Sequence, residues 1–325
     1  MKRINFLVIL FLITLSSCYE DYVLDHAYDG IYFPYQISVR TFVVGEGMKI
    51  DVGASLAGVR TNNRDRSIEF EVDESLINSS TLALMQGGAG YIKKAVDKVS
   101  ELKLLPRDYY SISNSNIITI KKGEHSGRVT IIPDSVNFLS DLACLNATYA
   151  LPLRIINADA DSIPPEKSYT IIGLKYENML FGNYWHGGVT IEKDAQGNVI
   201  DTITYYTQIP SSNSLAWSLT TISPYSVATN GVSNKSGSNK QEFEIIIHNG
   251  DISISSLPGS TYTVQPDGES YYNQSKLLQN RKLFLNYKYQ NNLGNWCYAK
   301  DTLTFRNRIR DGVNEWQDEN PAHYD

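Results

Sequence analysis

Cysteine is scarce in this chain: three residues in 325, at positions 18, 144 and 297. Cys144 and Cys297 are far apart and fall in different halves of the chain. They read as two separate buried thiols rather than a disulfide, and no metal-binding spacing surrounds them. Histidine is equally thin, with five residues at 26, 125, 186, 248 and 323 that never approach ligand spacing. Neither G-x-S-x-G nor H-E-x-x-H occurs, so the common triad and zinc hydrolase signatures are missing, and nothing calls for a metal or a cofactor. A facing pair of glycosidase carboxylates leaves no mark in one sequence, so that chemistry stays open as a lesser alternative. Clusters of Lys and Arg are absent under a net charge of -6, which removes nucleic acid as a partner. Long apolar runs are absent too, with one short exception at the start. Phe6 to Leu15 would rise ~15 Å as a helix, about half of a hydrocarbon core, too little to span it.

That apolar run follows Lys2 and Arg3 and precedes Leu15-Ser16-Ser17-Cys18. The order is that of a secretory leader, and its end resembles the lipobox of bacterial lipoproteins, in which the cysteine is acylated and becomes the new N-terminus. The expectation is a signal peptide at 1–17, with Cys18 as the lipidation site and residues 18–28 as lipid anchor and tether. Acyl chains at ~0.8 kcal/mol per buried CH2 would hold the protein on a membrane without spanning it. Glu20, Asp21 and Asp25 resemble the acidic export signal that sends Bacteroidetes-type lipoproteins to the outer face of the outer membrane. Removal of the leader moves the formal charge from -6 to -8, as Lys2 and Arg3 go with it.

Amphipathic helical stretches are few. Short runs rich in Val, Ile, Thr and Tyr, broken by Gly, Asn, Asp and Pro, recur through most of the chain and predict an all-β protein. The ~308 residues after the leader exceed one comfortable core, so two domains are expected. The boundary falls near Leu174 to Asn178, because all four Trp residues (185, 217, 296, 316) lie beyond it. Residues 29–175 carry seven to nine strand candidates, the pattern of an immunoglobulin-like β-sandwich. One helical insertion interrupts them, predicted over Gly90 to Leu105 from the spacing of Tyr91, Ala95, Val99, Leu102 and Leu105, and Leu76 to Gly90 reads as a mobile loop. Residues 176–325 read as an antiparallel meander with short turns, closing as a lipocalin-like barrel or, alternatively, as a second sandwich.

Three features then coincide with a known family: the lipobox with its acidic followers; LLPRDYYSIS, ITIKKGEHSGRVTI and YALPLRIINADADSI in the first half; and GNYWHGG with DTLTFRNRIRDGVNEW in the second. The chain resembles a Sus-type surface lipoprotein of Bacteroidetes polysaccharide-utilisation loci. Its N-terminal domain of unknown function is similar to the one preceding certain endo-β-N-acetylglucosaminidases, and a C-terminal domain of unknown function follows. The resemblance implies non-catalytic capture of an oligosaccharide at the cell surface, beside SusC/SusD-like transport proteins. A structural or docking subunit without its own ligand is the alternative.

Glycan recognition needs aromatic faces for pyranose C–H groups and flanking amides or carboxylates for the hydroxyls. The candidates are Trp185, ahead of Gly187-Gly188, which would admit a ligand to the backbone; Tyr271 and Tyr272 in a polar loop; and Trp296 after an Asn-rich turn. Trp217 shares a strand face with Leu215 and Leu219 and also fits a core position. Asn157 to Pro165 lacks the Gly and Glu of an EF-hand, so Asp159 and Asp161 read as a polar turn, with a cation site as the lesser alternative. Arg306, Arg308 and Arg310 read as ion-pair partners of Asp311 and Glu315. Asp-Ser/Thr-aliphatic triplets resembling an O-glycosylation site of exported Bacteroidetes proteins put Ser135 and Ser162 forward as acceptors.

Overall fold

The computed structural model describes residues 28–205, 215–235 and 240–317. Cys18 and the acidic tether lie outside them. The first ten strands are β1 (Gly30–Tyr32), β2 (Ile37–Val44), β3 (Ile50–Ala57), β4 (Arg66–Val72), β5 (Lys103–Leu104), β6 (Tyr110–Ile112), β7 (Ile117–Ile120), β8 (Ser126–Pro133), β9 (Tyr149–Ala158) and β10 (Tyr169–Asn178). They form a sandwich of two sheets, β1-β3-β8-β6 and β2-β10-β9-β4-β7, with β5 added alongside β9. Alternation does the sorting: in β3 the residues Ile50, Val52, Ala54 and Leu56 point inward, while Asp51 and Ala57 face water. The interior closes on an aromatic cluster in which Phe138 meets Phe42 edge to face at 5.4 Å.

The helical insertion differs from the sequence reading. Residues 76–90 are not a mobile loop, because α1 spans Ser79–Gln86, started by Asn78, whose side chain accepts the Thr81 N–H. The next helix, α2 (Gly90–Val96), is shorter than expected, and Lys103–Leu104 has become a strand. The three- and four-residue spacing still serves burial: Ile92, Ala95, Val96, Val99 and Leu102 join Leu82 and Met85 in a satellite core on the outer face of β2 and β10. Gly173 of β10 makes room for it, since a Cβ there would lie 2.9 Å from Met85 Cε. A short helix α3 (Asn137–Ser140) follows β8.

The second domain comprises β11 (Gly182–Lys193), β12 (Val199–Tyr205), β13 (Leu215–Ser223), β14 (Ser226–Thr229), β15 (Phe243–His248), β16 (Asp251–Ser256), β17 (Val264–Pro266), β18 (Ser270–Tyr272), β19 (Lys282–Gln290), β20 (Trp296–Arg310) and β21 (Val313–Glu315). Eight of them, β11-β13-β14-β15-β16-β18-β19-β20, close on themselves through β20 pairing back to β11 from Asn183 to Lys193. The domain is a closed barrel, not a second sandwich. One edge of β11 is shared, with residues 182–186 pairing β13 and residues 188–193 pairing β12. Trp217 is fully buried in the barrel core. Cys144 and Cys297 are buried, unpaired thiols, one in each domain.

The two domains are fastened by a buried ion cluster. Glu46, in the β2–β3 turn, receives both terminal nitrogens of Arg308 (2.9 and 2.7 Å) and sits 2.6 Å from Arg281. The arginine reading was therefore half right. Arg308 and Arg310 do hold Glu315 across the β20–β21 hairpin, but Arg308 also crosses to the first domain, and Arg306 turns outward to cover the Trp185 ring. Asp311 caps the free edge of β2, accepting the backbone N–H of Thr41 at 3.1 Å and its hydroxyl at 2.7 Å.

Candidate functional site

On the barrel wall, side chains alternate between core and solvent, and three adjacent strands set out the candidate surface. Leu283, Leu285, Tyr287 and Tyr289 of β19 point inward, while Phe284 and Lys288 point outward. In β20, Cys297, Ala299, Asp301, Leu303 and Phe305 go in, and Trp296, Tyr298, Lys300 and Arg306 go out. In β11, Tyr184, His186 and Thr190 go in, and Trp185 and Lys193 go out. Three of the four expected residues therefore share the outer wall: Trp185 and Trp296 half-buried, and Tyr271 42 % exposed. Tyr271 stacks on Phe284 with ring centroids 4.7 Å apart. Arg306 lies 4.5 Å from the centre of the Trp185 ring, Lys193 4.7 Å from that of Tyr298, and Lys288 5.6 Å from that of Trp296.

These rings do not form one compact platform. Trp185 is in register with Thr304, and Trp296 stands eight positions earlier on the same strand, ~26 Å away. Two aromatic patches result, Trp296 with Tyr298 at the far end of the barrel and Tyr271, Phe284 and Trp185 nearer the first domain. Tyr272 belongs to neither. Residues 270–272 are a strand, not a polar loop, so the residue after Tyr271 points into the barrel, where Tyr272 is 5 % exposed and donates its hydroxyl to the Ser275 carbonyl at 2.6 Å. Phe284 and Tyr298 were missed by the sequence reading, although the alternation of β19 and β20 carried the signal.

The second glycine after Trp185 serves the protein itself. A Cβ on Gly188, at φ +156°, would lie 2.2 Å from the Lys300 carbonyl and 2.8 Å from Asp301 Oδ1. The close approach is that of β20 with its buried carboxylate, not of a ligand. Inside the barrel, Asp301 accepts the Tyr205 hydroxyl on Oδ1 and the Tyr287 hydroxyl on Oδ2 at 2.6 Å. His186 Nε2 lies 3.1 Å from Oδ2 without being aligned as a hydrogen bond, and the imidazole stacks on Trp217 at 3.9 Å. Thr190 bonds Tyr205 (3.0 Å) and Ser233 (2.5 Å), and the Ser233 N–H donates to Tyr287 at 2.6 Å. Burial, reinforced by the Asp301 charge, pushes the phenols of Tyr205 and Tyr287 far above their ordinary range. His186 is 0 % exposed and Asp301 2 %. In this closed arrangement Asp301 and Thr190 fasten β12 and the chain around Ser233 to β11 and β20. No sequence motif announced it, because its members are spread from 186 to 301.

The remaining candidates fall elsewhere. Asp159 and Asp161 form a polar turn: Asp159 accepts Ser67 N–H at 2.8 Å, and Asp161 exchanges backbone hydrogen bonds with Asp29, which pairs with Arg66 at 2.7 Å. Among the described residues, no group of three or more His, Cys, Asp and Glu is placed to hold a metal. Ser135 is exposed in the turn before α3, whereas Ser162 is half-buried, with its hydroxyl facing Gly30. No helix among the described residues is long and apolar enough to cross a membrane.

Comparison with known proteins places the first domain. A family model described as "-like, N-terminal domain" matches residues 26–162, the length of the sandwich up to the β9–β10 turn. Over nearly the whole chain, the fold is that of a structural-genomics protein of unknown function from Bacteroides ovatus, at 21% identity over 91% of this chain and 99% of that one, with a TM-score of 0.64. A multidomain protein including DUF1735 from Bacteroides ovatus aligns at 12% identity over 89% and 100% of the two chains, with a TM-score of 0.42. EndoBT-3987 from Bacteroides thetaiotamicron, solved with a Man5GlcNAc product, aligns at 17% identity over 43% of this chain and 28% of that one, with a TM-score of 0.29. No curated protein matches the chain. The sequence reading and the comparisons agree on the first domain, where the family model matches residues 26–162, and on the two-domain β fold shared with a Bacteroides ovatus protein of unknown function.

Proposed function

We propose that the chain is a surface-anchored, non-catalytic glycan-capture protein, and that the outer wall of the barrel is its binding element. The observation that carries this reading is the display of Trp185, Tyr271 and Trp296, joined by Phe284 and Tyr298, on outward positions of neighbouring strands. Rings standing on a rigid barrel wall offer flat apolar faces at little entropic cost, as sugar stacking requires. The lipobox-like leader fits such a role, holding Cys18 at the outer membrane and the barrel in reach of extracellular oligosaccharides that SusC/SusD-like proteins would import. Calorimetry of the soluble form starting at residue 19, against a panel of host and plant glycans, tests the proposal. Saturable heat that falls in Trp185→Ala and Trp296→Ala is the expected result. Absence of binding to every glycan would favour a docking subunit without its own ligand. Release of sugar would overturn both.

A further inference from the structure

We infer that the captured glycan is polyanionic, carrying repeated carboxylate or sulfate groups; this rests on the capture reading above. The outward positions of β11, β19 and β20 hold five cations, Lys193, Lys282, Lys288, Lys300 and Arg306, and no Asp or Glu. The chain as a whole is acidic, with 35 carboxylates against 29 basic side chains. The local excess is therefore opposite in sign to the molecule that carries it. The neighbouring acids stand off the outward positions: Glu192 of β11 accepts the side-chain amides of Asn291 and Asn295 at 2.8 and 2.7 Å, Asp267 is 3.4 Å from Lys288, Glu269 lies beside Asn286, and Asp251 stands opposite Tyr271 on β16.

Register converts the list into a ladder. Lys193 is level with Trp296, Lys288 with Tyr298, Lys300 is two positions further along, and Lys282 is level with Thr304. Alternate residues on one face step by ~7 Å, so the charges ascend the wall beside the rings from the free end of the barrel towards the first domain. Such a file suits a linear polymer with recurrent negative charge better than one isolated anion. Lys193 and Lys288 keep ring and ammonium in contact, so a pyranose on the ring meets the cation with its acidic substituent.

The test sets charged polymers against neutral counterparts of the same backbone: polygalacturonate against its methyl ester, and a sulfated galactan against its desulfated form, with anionic phospholipid vesicles as a further arm. One charged polymer is expected to bind about tenfold more tightly than its neutral counterpart, and to weaken steeply between low and high salt. A Lys193→Gln/Lys288→Gln/Lys300→Gln variant should lose about tenfold in affinity with an unchanged melting temperature, and the corresponding Lys→Arg variant should retain binding. The uronate and sulfate arms identify which acid is read. Equal binding of neutral and charged forms would overturn the inference and leave glycan capture standing. Binding to vesicles alone, or to no polymer, would overturn capture itself, and the inference with it.

Discussion

At residue 188 a side chain has no place to go, and the cause is the backbone of the neighbouring strand at Lys300, with the buried Asp301 carboxylate behind it. Gly188→Ala would drive its Cβ into the Lys300 carbonyl and Asp301, at a backbone angle that L-residues rarely adopt. A loss of more than ~2 kcal/mol is expected. Chemical denaturation measures it, and a variant as stable as the parent would remove close packing against β20 as the reason for the glycine. The outward rings behave oppositely. Trp296→Ala leaves the core untouched, so stability is expected to change by less than ~1 kcal/mol while binding is impaired. Trp185, Tyr271 and Trp296, put forward from the sequence for their glycine-rich or polar settings, do stand on the outer wall of the barrel. The sequence reading misplaced Tyr272, because one position along a strand reverses the side chain, and the three-residue strand between Gly268 and Asn273 has too little periodicity to be seen.

Among the elements, most strands were legible from alternation alone, and β2, β7 and β19 have the bounds that their apolar patterns suggest. Closure of the barrel was legible only as one of two outcomes, since it depends on β20 finding β11 more than a hundred residues earlier. The β20–β21 hairpin was read as a tail fastened to itself. Its second role, docking on the β2–β3 turn, rests on Glu46 and Arg308, 262 positions apart, and no local pattern announces such a pair. Burial alone would raise the Glu46 pKa, but the hydrogen bonds and charge of Arg308, with the charge of Arg281, outweigh it and hold the carboxyl below its ordinary 4.5. Glu46→Ala leaves two buried guanidinium groups facing one another, and a cost of ~3–5 kcal/mol is expected. Calorimetry should then resolve separate unfolding of the two domains. A single unchanged transition would show that the cluster does not couple them.

For the whole molecule, the depressed Glu46 pKa contributes stability that is fully present above about pH 4.5 and lost as pH falls through the lower folded value. The opposite sign governs the alkaline side. Burial pushes the Tyr176 phenol from 10.0, and the Cys144 thiol from 9.0, up to about 12. Their contribution is complete below the unfolded values and is lost as pH rises through the folded ones. Melting temperature is therefore expected to fall from pH 9–10 upward, with tyrosinate absorbance from the buried phenols appearing only as the fold is lost. Early titration of all tyrosines in the intact protein would contradict that. Whether glycan meets the outside of the barrel, as proposed, is reported most directly by the indole N–H signals in an NMR titration. Trp185 and Trp296 are expected to shift on adding a bound glycan while the buried Trp217 stays fixed; shifts confined to Trp217, or binding that leaves both outer indoles unmoved, would contradict binding at the outer wall.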